Sequence, residues 1–274
     1  MFSVVAAQVA GGPTTEASVQ GGIACELVHL GSLYHDDVMD ESTQRRSVET
    51  VNAKWGNLQA ILAGDFLLAR ASEIAASLGT EVAALLARTI GRLCEGQIEE
   101  LRHTYNIARP VDSYLSSIGG KTASLYSTAA RIGGLVSGFT PVVVDALTEF
   151  GDAYGMVFQI VDDVLDVIAT DEELGKRAGH DMEEGVYTLP VLLTLAQGDG
   201  PADQLRGLLG GPLGAAERET ALRIVRAGLG VKHAIETAWD YVALAEAECA
   251  KLPATDAVGA LREAPRVLLE SVIR

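Results

Sequence analysis

The pentapeptide Asp36-Asp37-Val38-Met39-Asp40 constrains this chain more than any other stretch. It closes a run in which Ile23, Leu27, Leu30, Leu33 and Val38 recur at helical spacing. At 3.6 residues per turn, Asp36 and Asp40 share a helix face and Asp37 lies at its edge. Carboxylates crowded on one turn repel one another, and helix propensity gives no reason to gather them there. The same spelling returns 126 residues later as Asp162-Asp163-Val164-Leu165-Asp166, again after an apolar run (Met156, Val157, Phe158, Ile160, Val161). One such cluster is ordinary solvated surface. Two, each beside apolar helix, are hard to explain that way. If the two helices face each other, they make a cage of hard oxygen ligands suited to Mg2+, which takes carboxylates, waters and phosphate oxygens.

Composition narrows the architecture. The 274 residues are 48% hydrophobic but only 5% aromatic, Ala and Leu dominate, and Gly and Pro fall mostly between periodic segments. This predicts an all-helical protein, read as one domain over 1–274. The formal net charge of −16 argues against nucleic acid as a partner. An anionic substrate therefore needs local cations. Cys25, Cys94 and Cys249 are scattered with no CxxC pair, which fits a reducing cytoplasm. No apolar run reaches the length of a membrane span, and the opening residues lack the basic start of a signal peptide.

Along the chain, helices are expected from about Glu16 to Asp40, Asn52 to Leu78, Glu81 to His103, Lys121 to Val136 and Pro141 to Ile168. Others are expected at Leu189–Leu195, Ala215–Ala227, Val231–Leu252 and Asp256–Ile273. Gly64, inside a helical pattern, marks close helix packing. Glu41 to Val48 reads as a polar loop, and the charged stretch from Thr170 to Tyr187 as a mobile one that closes over a ligand. Arg45 and Arg46 follow the first acidic cluster, Lys121 follows Gly119-Gly120, and Lys176 follows the second cluster. Alone, each is a solvated loop cation. Together they suit an anion held against a metal. There is no P-loop and no nucleophile elbow or triad setting. His35 abuts the first cluster and reads as structural rather than as a ligand.

With these residues in place the chain resembles the trans-isoprenyl diphosphate synthases, or polyprenyl synthetases. The resemblance rests on DDVMD with its downstream Arg-Arg, GDFLLARA (64–71), GQIEEL (96–101), KTASL (121–125), FQIVDDVLD (158–166), GKRAGHD (175–181) and TLP (188–190). It implies an all-α helical barrel around a deep central cavity, usually a homodimer. The implied reaction joins isopentenyl diphosphate head to tail with an allylic diphosphate. Three Mg2+ ions take part, with Mn2+ as a substitute. By the same resemblance, Asp36, Asp40 and Asp162 are direct metal ligands, and Asp37, Asp163 and Asp166 act through water or support them. Arg45, Lys121 and Lys176 contact the allylic diphosphate and Arg46 the isopentenyl diphosphate. Thr122 and Gln159 put oxygen dipoles near the developing cation, with Gln97 on a neighbouring helix.

Ser32 and Val28 lie one and two turns before Asp36, with Gly31 beside Ser32. All are too small to make the aromatic floor that short-chain members often carry. This predicts a product of geranylgeranyl length or longer, in the hexaprenyl-to-decaprenyl range, with peripheral membrane contact for so long a tail. The family's Gly-Gly-Lys-x-x-Arg-Pro segment does not occur, so an N-terminal part is expected to be missing from the sequence. A class I terpene cyclase and a non-catalytic synthase subunit are the alternatives. The second DDxxD speaks against the first, and six intact aspartates speak against the second.

Overall fold

The computed structural model describes residues 1–45, 48–170, 177–198 and 200–273. Its packing divides into two compact units. Unit 1 comprises Met1–Gly91, Leu125–Gly151 and Glu248–Gly259; unit 2 comprises Arg92–Ser124, Asp152–Ala247 and Ala260–Arg274. The described residues are overwhelmingly helical, as composition and periodicity predict.

Unit 1 is built on two long helices, α2 (Glu16–Met39) and α4 (Asn57–Ser77), with the short α1 (Phe2–Ala7) before them. Thr15 starts α2 with a capping box: its hydroxyl accepts from the Ser18 amide at 3.1 Å, and the Ser18 hydroxyl accepts from the Thr15 amide. Such a cap contributes about 1 kcal/mol. Helices α2 and α4 touch where Gly31 meets Gly64. A Cβ on Gly64 would lie 2.3 Å from His35 Nε2 and 3.0 Å from the Gly31 carbonyl oxygen. Gly64 is therefore the packing glycine that its setting predicts.

Between these helices, two residue pairs (β1, Gln44–Arg45; β2, Val48–Glu49) pair antiparallel in what the sequence reads as loop. Asn52 pins the segment, its side-chain amide donating to the Asp37 and Ser42 carbonyls at 3.0 Å. The helix expected from Asn52 to Leu78 is two helices, α3 (Val51–Trp55) and α4. They are broken at Gly56, whose φ of +92° no helix allows.

Unit 2 takes the C-terminal part of α5 (Thr80–Arg102), then α6 (Val111–Ile118), which passes into a π-helical turn, Gly119–Ala123, ahead of α7 (Ser124–Val136). The sequence places a break at Gly119-Gly120, because glycine costs about 1 kcal/mol in a helix. The helix is already running there. Gly120 is needed because its Cβ would lie 2.8 Å from the Arg92 carbonyl oxygen on α5, and a Cβ on Gly96 would lie 2.6 Å from the Lys121 amide. From α8 (Pro141–Ile168), residues Val157, Ile160, Val161, Val164 and Val167 enter the core at helical spacing.

After α8 come α9 (His180–Glu183), α10 (Leu189–Leu195), α11 (Gly200–Leu208), α12 (Ala215–Ala227), α13 (Gly230–Cys249) and α14 (Asp256–Ile273). The expected mobile loop from Thr170 to Tyr187 is packed in its described second half. Ala178, Met182 and Tyr187 are buried in the core, and the charged residues between them, Asp181, Glu183 and Glu184, are half-buried. Residues 171–176, including Lys176, lie outside the described residues, as does Arg46. Helix α11, which the sequence reading lacks, is held by buried Ala202 and Leu205. No helix among the described residues is long and apolar enough to cross a membrane.

Candidate active site

The two acidic clusters fall in different units. In unit 1, Asp36 and Asp40 stand one turn apart at the end of α2, and the Asp40 amide donates to the Asp36 carbonyl at 2.9 Å. Asp36 is half-buried and Asp40 exposed, whereas Asp37 is only 3% exposed. Arg45 Nε donates to Asp37 Oδ1 at 2.8 Å. A buried carboxylate needs such a partner. It places Asp37 as a brace between α2 and β1 and fixes the arginine expected to meet a diphosphate. His35 faces α4, its Nε2 3.2 Å from the Ile61 carbonyl oxygen and 3.5 Å from Asp65.

Unit 2 repeats the pattern. Asp162 is exposed, and Asp163, its neighbour, is 2% exposed. Both oxygens of Asp163 are engaged. The Tyr114 hydroxyl donates to Oδ2 and Gln159 Nε2 donates to Oδ1 at 2.8 Å. Gln159 Oε1 accepts from the Thr122 hydroxyl at 2.8 Å. Thr122, Gln159 and Asp163, three of the residues the sequence singles out, thus form one hydrogen-bonded chain. Burial, with nearby Asp181, pushes the Asp163 carboxyl well above the usual carboxylate range, and burial likewise raises the Tyr114 phenol. Asp166 is buried and the Gly179 amide donates to its carbonyl at 2.8 Å.

Lys121 lies in the π-turn, a geometry frequent at functional sites. Its Nζ donates to Glu100 Oε1 at 2.8 Å. Gln97 Oε1 is buried and meets no donor among the described residues. Arg109 is also buried, its Nε and Nη2 without acceptors among the described residues and its guanidinium 5.6 Å from the Tyr114 ring centroid. Burial lowers its pKa, an effect opposed first by Glu100. Sequence reasoning does not reach Tyr114, Arg109 or Glu100. The one available signal is Tyr114 itself, a phenol on an apolar helix face, which has to find a partner for its hydroxyl.

The three chain-length candidates lie on α2 in different settings. Val28 is buried, and Gly31 faces α4, where a Cβ would lie 3.1 Å from the Gly64 carbonyl oxygen. The smallness of Gly31 thus serves helix contact. Ser32 is half-buried and donates to the His29 carbonyl at 2.8 Å.

In unit 1 the half-buried Asp36 and exposed Asp40, and in unit 2 the exposed Asp162, each offer hard carboxylate oxygens, the donor type that Mg2+ takes. Among the described residues no three His, Cys, Asp or Glu side chains converge as a closed metal cage.

An all-α fold carrying two DDxxD motifs and a Lys-Thr/Phe-Gln pair defines the class of the prenyl diphosphate synthases. The polyprenyl synthetase family model matches residues 1–226, and the chain belongs to this family. It is a prenyltransferase. It is 42% identical over 254 residues to the nonaprenyl diphosphate synthase of Mycobacterium tuberculosis, covering 92% of this chain and 76% of that one. To heptaprenyl diphosphate synthase component 2 of Geobacillus stearothermophilus it is 44% identical over 175 residues, covering 64% of this chain and 55% of that one. Among solved structures, geranylgeranyl pyrophosphate synthase from Corynebacterium glutamicum, complexed with calcium and isoprenyl diphosphate, matches with a TM-score of 0.87 at 36% identity. That match covers 99% of this chain and 83% of that one.

Proposed function

We propose that the chain condenses isopentenyl diphosphate head to tail with an allylic diphosphate in a Mg2+-dependent reaction, giving an all-trans polyprenyl diphosphate in the hexaprenyl-to-decaprenyl range. The observation that carries this reading is the doubled motif, in which the second aspartate of each cluster is sealed and braced while the first is accessible. Asp36, Asp40 and Asp162 would hold the ions directly, with Asp37, Asp163 and Asp166 behind them. Metal bound there would supply positive charge against the leaving diphosphate.

The chain's own residues do the rest. Lys121 leaves Glu100 to donate to the allylic diphosphate, joined by Arg45 and Lys176, while Arg46 meets isopentenyl diphosphate. As the allylic C–O bond breaks, oxygens of Thr122 and Gln159 face the cation, with Gln97 nearby. The isopentenyl double bond then attacks the cation, and the departing diphosphate takes the proton released as the new double bond forms. Relatives named for nonaprenyl and heptaprenyl products support the chain-length range. Ser32 and Val28 are the residues that would border the growing tail.

We further assign the protein to the cytoplasm as a homodimer. Leu58, Leu62 and Phe66 of α4 form an exposed apolar stripe, 76%, 67% and 64% accessible, spaced evenly by four residues about Leu62. An exposed apolar stripe of this kind suits an interface with a second copy of the chain.

The test is incubation of the purified chain with labelled isopentenyl diphosphate, several allylic primers and Mg2+, followed by chromatography. Long all-trans products are expected, none in excess chelator, and a loss on the order of a thousandfold in Asp36→Ala or Asp162→Ala. Cyclised hydrocarbon formed without isopentenyl diphosphate would reveal a cyclase. Activity only after adding a second synthase subunit would reveal a component of a heteromer.

A further inference from the structure

A hydrogen-bonded chain in unit 2 begins at a sealed phenol and ends at two accessible oxygens. Tyr114 is 1% exposed, and Asp163, to which its hydroxyl donates, is equally closed to solvent. Gln159 and Thr122, at the other end, are half-buried. Each link has one polarity: Gln159 turns its nitrogen toward Asp163 Oδ1, which accepts, and its oxygen toward the Thr122 hydroxyl, which donates. Thr122 has one hydroxyl proton and spends it on Gln159, leaving only lone pairs to present elsewhere. An acceptor drawing on the amide N–H also polarises the amide, placing more negative charge on its oxygen. The Arg109 guanidinium, 5.6 Å from the Tyr114 ring centroid, supplies a positive neighbour to this chain.

We propose that Tyr114 is a positioning residue for prenyl transfer: through Asp163 it locks the Gln159 amide so that Gln159 and Thr122 turn oxygen lone pairs, never N–H or O–H, toward the allylic cation. This rests on Thr122 and Gln159 being the dipoles that face that cation. Without the Tyr114 hydroxyl, Asp163 Oδ2 becomes a buried acceptor lacking its donor, and the side chain turns to find another. That turn releases the Gln159 nitrogen. A flipped amide then aims N–H at a positive charge that exists only in the transition state. The penalty falls on kcat and spares substrate binding.

The experiment pairs Tyr114→Phe, which keeps ring and volume, with Asp163→Asn, which keeps an acceptor for Tyr114 but replaces the one Gln159 uses. Each is measured alone and combined with Thr122→Val. Expected are a fall in kcat on the order of tenfold in each single variant, and allylic KM and half-saturating Mg2+ within about twofold of wild type. The double variants should be no slower than Thr122→Val alone, the non-additivity of groups acting through one chain. Independently of turnover, the side-chain amide NMR resonances of Gln159 should shift in both Tyr114→Phe and Asp163→Asn. Wild-type kcat in whichever of the two variants folds, multiplicative losses in the doubles, or unmoved Gln159 resonances would overturn the proposal. A normal kcat in Thr122→Val would instead bring down the underlying role of Thr122. A raised Mg2+ requirement confined to Asp163→Asn would make Asp163 a metal ligand and overturn the chain.

Discussion

At the scale of single residues, the site is governed by which charges already have partners. Lys121 is bonded to Glu100, so an arriving diphosphate has to compete with a carboxylate 2.8 Å away. The pair is partly exposed, which limits its worth to about 1 kcal/mol or less. Glu100→Gln, which keeps the shape and drops the charge, should therefore lower the allylic KM by up to about fivefold with little change in kcat. Steady-state kinetics with varied primer checks this, and a raised KM would show that Glu100 orients Lys121 rather than competing for it.

The cysteines offer a second test. Burial pushes the Cys25 thiol from 9.0 up to about 12. The folded state thus holds its proton where the unfolded chain has lost it. The resulting stability is complete below about pH 9 and drains away as pH climbs towards 12, by about 1.4 kcal/mol per unit. Denaturant unfolding at pH 8 and pH 10 should show this decline in the native chain and a smaller one in Cys25→Ala. With a thiol reagent at neutral pH, exposed Cys94 should react at once, and buried Cys25 and Cys249 only on unfolding.

At the scale of elements, the long helices were legible because their apolar residues repeat at helical spacing. Helix α6 and the π-turn were not, since a Gly-Gly pair looks like punctuation unless the opposing backbone is known. The same logic separates what could be read of the site. Asp36, Asp162, Lys121, Thr122 and Gln159 are announced by local spelling. Tyr114, which meets Asp163 across 49 residues of sequence, and Glu100, which meets Lys121 across 21, become neighbours only through packing. The glycines make the point measurable. Gly64→Ala forces a methyl into His35 and the Gly31 backbone and should destabilise by about 1–3 kcal/mol. Gly91→Ala, at an α5 position with nothing within 4 Å, should stabilise by about 0.5–1 kcal/mol. Thermal unfolding of the two variants should move in opposite directions.

At the scale of the whole molecule, assembly can be tested separately from chemistry. An aspartate at Leu62 lies on the monomer's surface and disturbs no buried contact, yet would place an unpaired charge at the centre of the apolar stripe. Sedimentation at micromolar concentration should find the native chain dimeric and Leu62→Asp monomeric, with an unchanged far-ultraviolet circular dichroism spectrum.

The crossing of Gly96 and Gly120 sets a different limit, on what can vary over time. Contacts between side chains can drift, because a loss on one face is made up by a gain on the other. Here the neighbours are main chain, with the Ser117 carbonyl oxygen and the Lys121 amide each 2.6 Å from where a Gly96 Cβ would stand. No alternative residue offers compensation. The crossing is a fixed datum from which the positions of Gln97, Glu100, Lys121 and Thr122 are measured. A side chain at either glycine would push the two backbones apart and carry Gln97, Glu100, Lys121 and Thr122 with them.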